Sequence, residues 1–215
     1  MVFTQKWVED AVRKVLNCND GIITDEDVAQ IKYLQIGETF DGEFFIQMSL
    51  ENPPLPFVSP NGGDEWGYCC IRDNNLKNFI DEMVEENANS TDIELSLGLS
   101  DYKDEEMKQY AYSNKAKILW NTFEESIISD TYYEKFEDDE AYDIWYEHNQ
   151  INIAKDIVHF KGVQVLRING LILEEFNIFK ELPELKVLEL VETTFYSIKG
   201  IENLKRLEQL CCWVD

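Results

Sequence analysis

Phe160-x-x-Val163-x-x-Leu166-x-Ile168 is followed, 22 residues on, by Leu182-x-x-Leu185-x-x-Leu188-x-Leu190. After another 22 residues comes Leu204-x-x-Leu207-x-x-Leu210-x-Cys212. Between these strands Leu173, Phe176 and Phe179 recur, in the same register, as Phe195, Ile198 and Ile201. A fixed period of this length marks a solenoid: each short strand and its return segment bury their apolar side only by stacking on the next copy. A distant fourth copy stands far upstream, at Val28-x-x-Ile31-x-x-Leu34-x-Ile36.

This pattern resembles the leucine-rich repeat family, in particular its 22-residue, internalin-like bacterial class, over residues 158–215. The resemblance implies an α/β fold: a short leucine-rich-repeat solenoid with a helical N-terminal cap and an inserted acidic α+β region. Gly21-Ile22-Ile23-Thr24-Asp25-Glu26-Asp27 is similar to the helical lead-in of the first repeat in such proteins. The family's usual Asn, three residues after the last strand leucine, is replaced by Thr39, Leu171, Thr193 and Asp215, so a ladder of buried asparagines is not expected. The sequence stops at Asp215, on the last strand and without a C-terminal cap. That predicts a bare sheet edge, which invites pairing with a second copy as a homodimer.

Three segments follow: 1–40, a helical cap and first repeat; 41–158, an acidic α+β insertion; and 159–215, the remaining repeats. In the first, Trp7, Val8, Ala11, Val12, Val15 and Leu16 share one helical face, with Thr4 as the expected N-cap. Thr24-x-x-Asp27 reads as a capping box. In the insertion, Asn52 to Gly63 is a Pro/Gly/Asn loop. Leu76, Phe79, Ile80, Met83 and Val84 give a helical face, and Met107, Tyr110 and Ala111 another. Ile93, Leu95, Leu97 and Leu99 alternate, predicting a strand over 92–100. Ile118–Ile128 is ambiguous by period, although Leu119, Phe123 and Ile127 favour helix.

Charge narrows the function. Forty-three acidic residues against 19 basic ones give a net charge of −24. That excludes a direct grip on nucleic-acid phosphate, which takes clustered Lys and Arg. No apolar run approaches the roughly 20 residues that span a bilayer, and the N-terminus lacks a secretory apolar stretch. The expectation is a soluble, cytoplasmic protein without membrane contact. Cys18, Cys69, Cys70, Cys211 and Cys212 form neither a disulfide framework nor a CxxC metal spacing, and read as reduced, small hydrophobes. Asn17-x-Asn19-Asp20-Gly21 misses the calcium-loop register by one residue. No cofactor, metal or catalytic constellation is expected; Cys69-Cys70 beside Trp66 and Tyr68 is the one cluster an enzyme reading would inspect.

The acidity is local. Residues 73–106 and 121–150 each carry a net −9, whereas residues 159–215 carry −2. In the second acidic stretch Glu134, Glu137, Asp138, Asp139, Glu140, Asp143 and Glu147 alternate with Tyr132, Tyr133, Phe136, Tyr142, Trp145 and Tyr146. Carboxylates steer a basic partner in, and exposed aromatics supply contact area once it docks. The candidate partner-binding residues are therefore Glu134, Glu137, Asp138, Asp139, Glu140, Tyr142, Asp143, Trp145 and Tyr146. Proteins that act on nucleic acid carry basic clefts, which an acidic protein can occupy in place of phosphate. The expected function is a non-catalytic inhibitor or immunity-type protein, a nucleic-acid mimic covering a toxin nuclease or, like anti-CRISPR inhibitors, a bacterial defence nuclease. The alternative is a general repeat adaptor that binds through outward strand positions Gln164, Arg167, Lys186, Glu189, Glu208 and Gln209.

Overall fold

The strands placed at 22-residue spacing pair in parallel within a mixed α/β sheet, and the strand of the upstream copy joins them. The computed structural model describes residues 1–39, 41–57, 68–86, 105–136 and 138–213. The expected strand over 92–100 lies outside the described residues. The chain runs through α1 (Lys6–Val15), α2 (Asp25–Val28), β1 (Tyr33–Glu38), β2 (Phe44–Ser49) and β3 (Tyr68–Arg72). Among the described residues there follow the helices α3 (Asp73–Glu86), α4 (Glu105–Ala111) and α5 (Asn114–Glu124), then β4 (Ile128–Tyr132) and the long α6 (Asp139–Ile157). The C-terminal segment holds β5 (Val165–Asn169), β6 (Ile172–Glu175), β7 (Val187–Val191), β8 (Thr194–Ser197) and β9 (Gln209–Trp213). Short 3-10 turns at Phe176–Glu181 and Ile201–Asn203 complete the return segments.

One seven-stranded sheet, in the order β3-β9-β7-β5-β1-β2-β4, organises the molecule. Its four central strands are parallel and in the register read from the sequence: Leu34, Leu166, Leu188 and Leu210 form one row. Ile36, Ile168, Leu190 and Cys212 form the next row on the same face. All eight are buried and belong to the main core. The return segments stack likewise: Leu173 pairs with Phe195 between β6 and β8, and Phe176 meets Phe195 at 4.3 Å between ring centroids. Where the chain re-enters the repeats, Gly162 presses on Ala29; a Cβ there would lie 1.9 Å from the Ala29 carbonyl oxygen, so no larger residue fits. Thr193 takes up part of the missing asparagine's work, its hydroxyl donating to the Ile168 carbonyl at 3.1 Å.

The insertion contributes strands at both ends of this sheet. β2 runs antiparallel to β1, and β4 antiparallel to β2. At the other end β3 runs antiparallel to β9, pairing Cys69 with Cys212 and Cys70 with Cys211. The expected bare edge on the last strand is thus covered by the chain itself, and a homodimer through that edge loses its premise.

Local signals are partly honoured. The α1 face is buried from Trp7 to Val15, and Thr24 and Asp27 form the reciprocal capping box. Thr4 is not the N-cap of α1: Gln5 occupies that position without a side-chain cap bond, and Asp156 accepts from the Thr4 and Gln5 N–H groups that lead into the helix. The 118–128 stretch splits into the end of α5 and the start of β4; Trp120 and Phe123 face inward while Leu119 and Ile118 are exposed. No helix among the described residues is long and apolar enough to cross a membrane.

Candidate functional site

Helix α6 carries most of the residues expected to bind. Asp138 is its N-cap, accepting a hydrogen bond from the Ala141 N–H at 2.7 Å, and Asp139 and Glu140 fill the first turn. Carboxylates there complement the positive end of the helix dipole, so they favour the helix that presents them. Glu134, Asp138, Asp139, Glu140, Asp143 and Glu147 are all exposed. Glu137 lies outside the described residues.

The aromatics are placed differently from the expectation. Trp145 and Tyr146 turn inward onto Phe44, at 5.3 and 5.9 Å, and Tyr142 stacks on Tyr146. Phe136 packs on Trp145 at 5.1 Å, and Tyr132 lies parallel to Trp7 at 5.8 Å. The physical reason is helical spacing: Tyr142, Trp145, Tyr146, Asn149, Gln150 and Ile153 recur every three or four residues and so share the inner face. These rings, half-buried, form the mount on which the carboxylates stand. The exposed apolar groups on this shoulder are instead Tyr133 and Ile144, 54% and 64% exposed. Ile144 could have been found from its place off that stripe, one residue before Trp145 and two from both Tyr142 and Tyr146.

Polar bonds fix the mount. The Tyr146 hydroxyl donates to Glu38 Oε2 at 2.7 Å, and Gln150 Nε2 donates to the Tyr146 oxygen and to the Gly170 carbonyl. Gln150 in turn accepts from the Ile172 N–H at 2.9 Å. Burial pushes the Glu38 carboxyl above the usual glutamate range, and burial with the Glu38 bond pushes Tyr146 up to about 12. A raised folded-state value means the neutral acid suits the fold better, so this contribution is present below the ordinary glutamate range and is lost as pH rises through the shifted one. Glu38→Gln, which keeps an acceptor for Tyr146, is therefore expected to raise the thermal midpoint slightly at pH 7. The advantage should vanish in acid, and a pH series of melting curves checks it.

The rival surface is partly covered. Of the six outward repeat positions, Arg167, Glu189 and Gln209 are buried. Tyr33, Val165 and Val187 on the same face pack under Phe57, Trp120 and Phe123 of the insertion. Gln209 is tied to the backbone of Phe57, and Gln164 donates to Asn52 Oδ1. The repeat face is thus filled by the chain's own side chains over β5, β7 and β9. Towards β4 it opens into a cleft of about 310 Å³ lined by Gln35, Thr39, Phe45, Gln47, Ser129, Asp130 and Thr131. Its one ionisable lining group, Asp130, lies 3.4 Å from Lys14 Nζ. Among the described residues no group of three or more His, Cys, Asp or Glu is placed to hold a metal ion. Trp66, of the cluster an enzyme reading would inspect, lies outside the described residues, and Cys69 and Cys70 are buried.

Compared with family models, curated proteins and solved structures, the chain matches none.

Proposed function

We propose that this is a non-catalytic, cytoplasmic inhibitor of the immunity type, built on a leucine-rich-repeat-like scaffold, which covers the basic cleft of a nucleic-acid-acting enzyme. The observation that carries it is the row of exposed carboxylates on β4–α6, in a chain of net charge −24, standing on an aromatic mount bonded into the sheet. The in-register parallel strands at 22-residue spacing support the repeat scaffold. The burial of Arg167, Glu189 and Gln209 favours this reading over a repeat adaptor that binds through those three positions.

A rigid field of one sign raises association rates by roughly 10- to 1,000-fold and makes them fall steeply with salt. The test begins with capture of partners at low salt and their release on a salt gradient. The quadruple variant Glu134→Lys, Asp139→Lys, Glu140→Lys, Asp143→Lys leaves the Asp138 cap in place. It is expected to slow association with the captured basic enzyme at least about tenfold by stopped flow, with an unchanged far-ultraviolet spectrum. Association at the wild-type rate, or capture that ignores salt, would refute the proposal.

A further inference from the structure

Four of the five cysteines face one another across the β3–β9 pair, Cys69 opposite Cys212 and Cys70 opposite Cys211. The pleat sends the two pairs to opposite faces of the sheet. Cys69 and Cys212 join the main core, and Cys70 and Cys211 pack with Met107 and Tyr110 of α4. Directly opposed residues of antiparallel strands hold their Cα atoms about 4.5–5.5 Å apart, within the roughly 4.4–6.8 Å that a disulfide spans. The pairs differ in setting. Cys70 and Cys211 lie apart from the main core, in the small cluster with Met107 and Tyr110, and Gln209 Nε2 donates to Cys211 Sγ at 3.2 Å.

We infer that Cys70 and Cys211 are a site of intramolecular disulfide formation, closed by a small-molecule disulfide oxidant, that covalently locks the insertion's strand β3 onto the last strand. One protein thiolate attacks the oxidant disulfide, expelling one thiol and leaving a mixed disulfide; the second protein thiolate then displaces the second thiol. In sum two protein thiols become one S–S bond and the oxidant disulfide becomes two thiols, so atoms and electrons balance.

The chemistry is slow while β3 is seated. Burial, followed by the neighbouring Cys211 thiol, holds the Cys70 thiol well above its ordinary range, so the reactive thiolate is scarce. β3 is, however, the outermost strand of the sheet on this side. Local opening of an edge strand is the low-cost fluctuation that admits an oxidant. Adjacent cysteines in sequence do not bridge; the topology instead supplies each with a partner some 140 residues away in the chain. This inference is independent of the partner-binding reading.

The test treats the dilute full-length protein with oxidised glutathione, then measures intact mass and maps peptides without reduction. The expected product has lost two hydrogens, yields a peptide joining Cys70 to Cys211, and reverts with dithiothreitol. Its thermal midpoint should rise on the order of 5–10 °C, because the bridge closes a long loop of the unfolded chain. Cys70→Ala and Cys211→Ala should abolish both bridge and rise. Should either variant fail to fold, the wild-type map alone decides. A bridge joining Cys69 to Cys212, bridges only between molecules, or a glutathione adduct at Cys18 with no bridge would each overturn the assignment.

Discussion

Glu189→Ala is expected to destabilise the protein by about 3–5 kcal/mol, one of the largest effects available to a single substitution here. Arg167 and Glu189 stand side by side on β5 and β7, with Arg167 Nε 2.7 Å from Glu189 Oε2 and their side chains only 7% and 0% exposed. The guanidinium also donates to Gln35 Oε1 at 3.1 Å, and Gln35 is held by the Tyr33 hydroxyl and by Asn169. Removing the carboxylate leaves a buried cation without its counter-charge. A neutral acceptor such as Gln35 Oε1 recovers only part of the lost solvation. Arg167→Met combined with Glu189→Leu fills similar volume with no charge, and should recover most of the loss. Urea unfolding of the three proteins checks this. A cost below about 1 kcal/mol for Glu189→Ala would mean that water reaches the pair and that the insertion does not seal the repeat face.

The pair also shows where the sequence stops being informative. Strand register was legible because Leu34, Leu166, Leu188 and Leu210 must fill one interior row, and a one-residue slip would turn each of them outward. Outward positions carry no such constraint, so Arg167 and Glu189 read as solvent-facing. What buries them is Phe57, Trp120 and Phe123, residues with no periodic relation to the repeats. β2 was missed for a related reason. Phe44, Ile46 and Met48 face the core, but Phe45, on the other face, is buried too, so the stretch shows no clean alternation. In α6 the inner face is built from Tyr142, Trp145, Tyr146, Asn149 and Gln150. Such side chains bury a ring or a stem and hydrogen-bond their polar ends, which weakens the apolar period. The acids of the shoulder were visible in the sequence; their aromatic neighbours were visible too, but not the direction in which they point.

The same helix secures the N-terminal cap, and Asp156→Ala is expected to cost about 2–4 kcal/mol. Asp156 is fully buried near the end of α6. Its carboxyl accepts from the Thr4 N–H at 2.7 Å, the Gln5 N–H at 2.9 Å and the Thr4 hydroxyl at 2.8 Å. These donors lie at the N-cap and the residue before it, next to the positive end of the α1 dipole. A residue 151 positions beyond Gln5 thus anchors the N-cap residue and the one before it, and Gln5 Nε2 adds a bond to Asn149 Oδ1 at 2.7 Å. Alanine orphans two backbone donors at once and frays a helix whose Trp7, Val8 and Val12 belong to the core. Asn keeps one acceptor and should lose about half as much. Denaturant unfolding gives the magnitude, and hydrogen exchange locates it, with faster exchange expected first in α1. Equal losses for the two variants would show that the carboxyl contributes packing rather than capping. The exposed carboxylates of the shoulder keep their charge in Asp156→Ala. If charge governs encounter, the variant should associate with the captured enzyme at near the wild-type rate and dissociate faster, because α6 is less firmly held against α1.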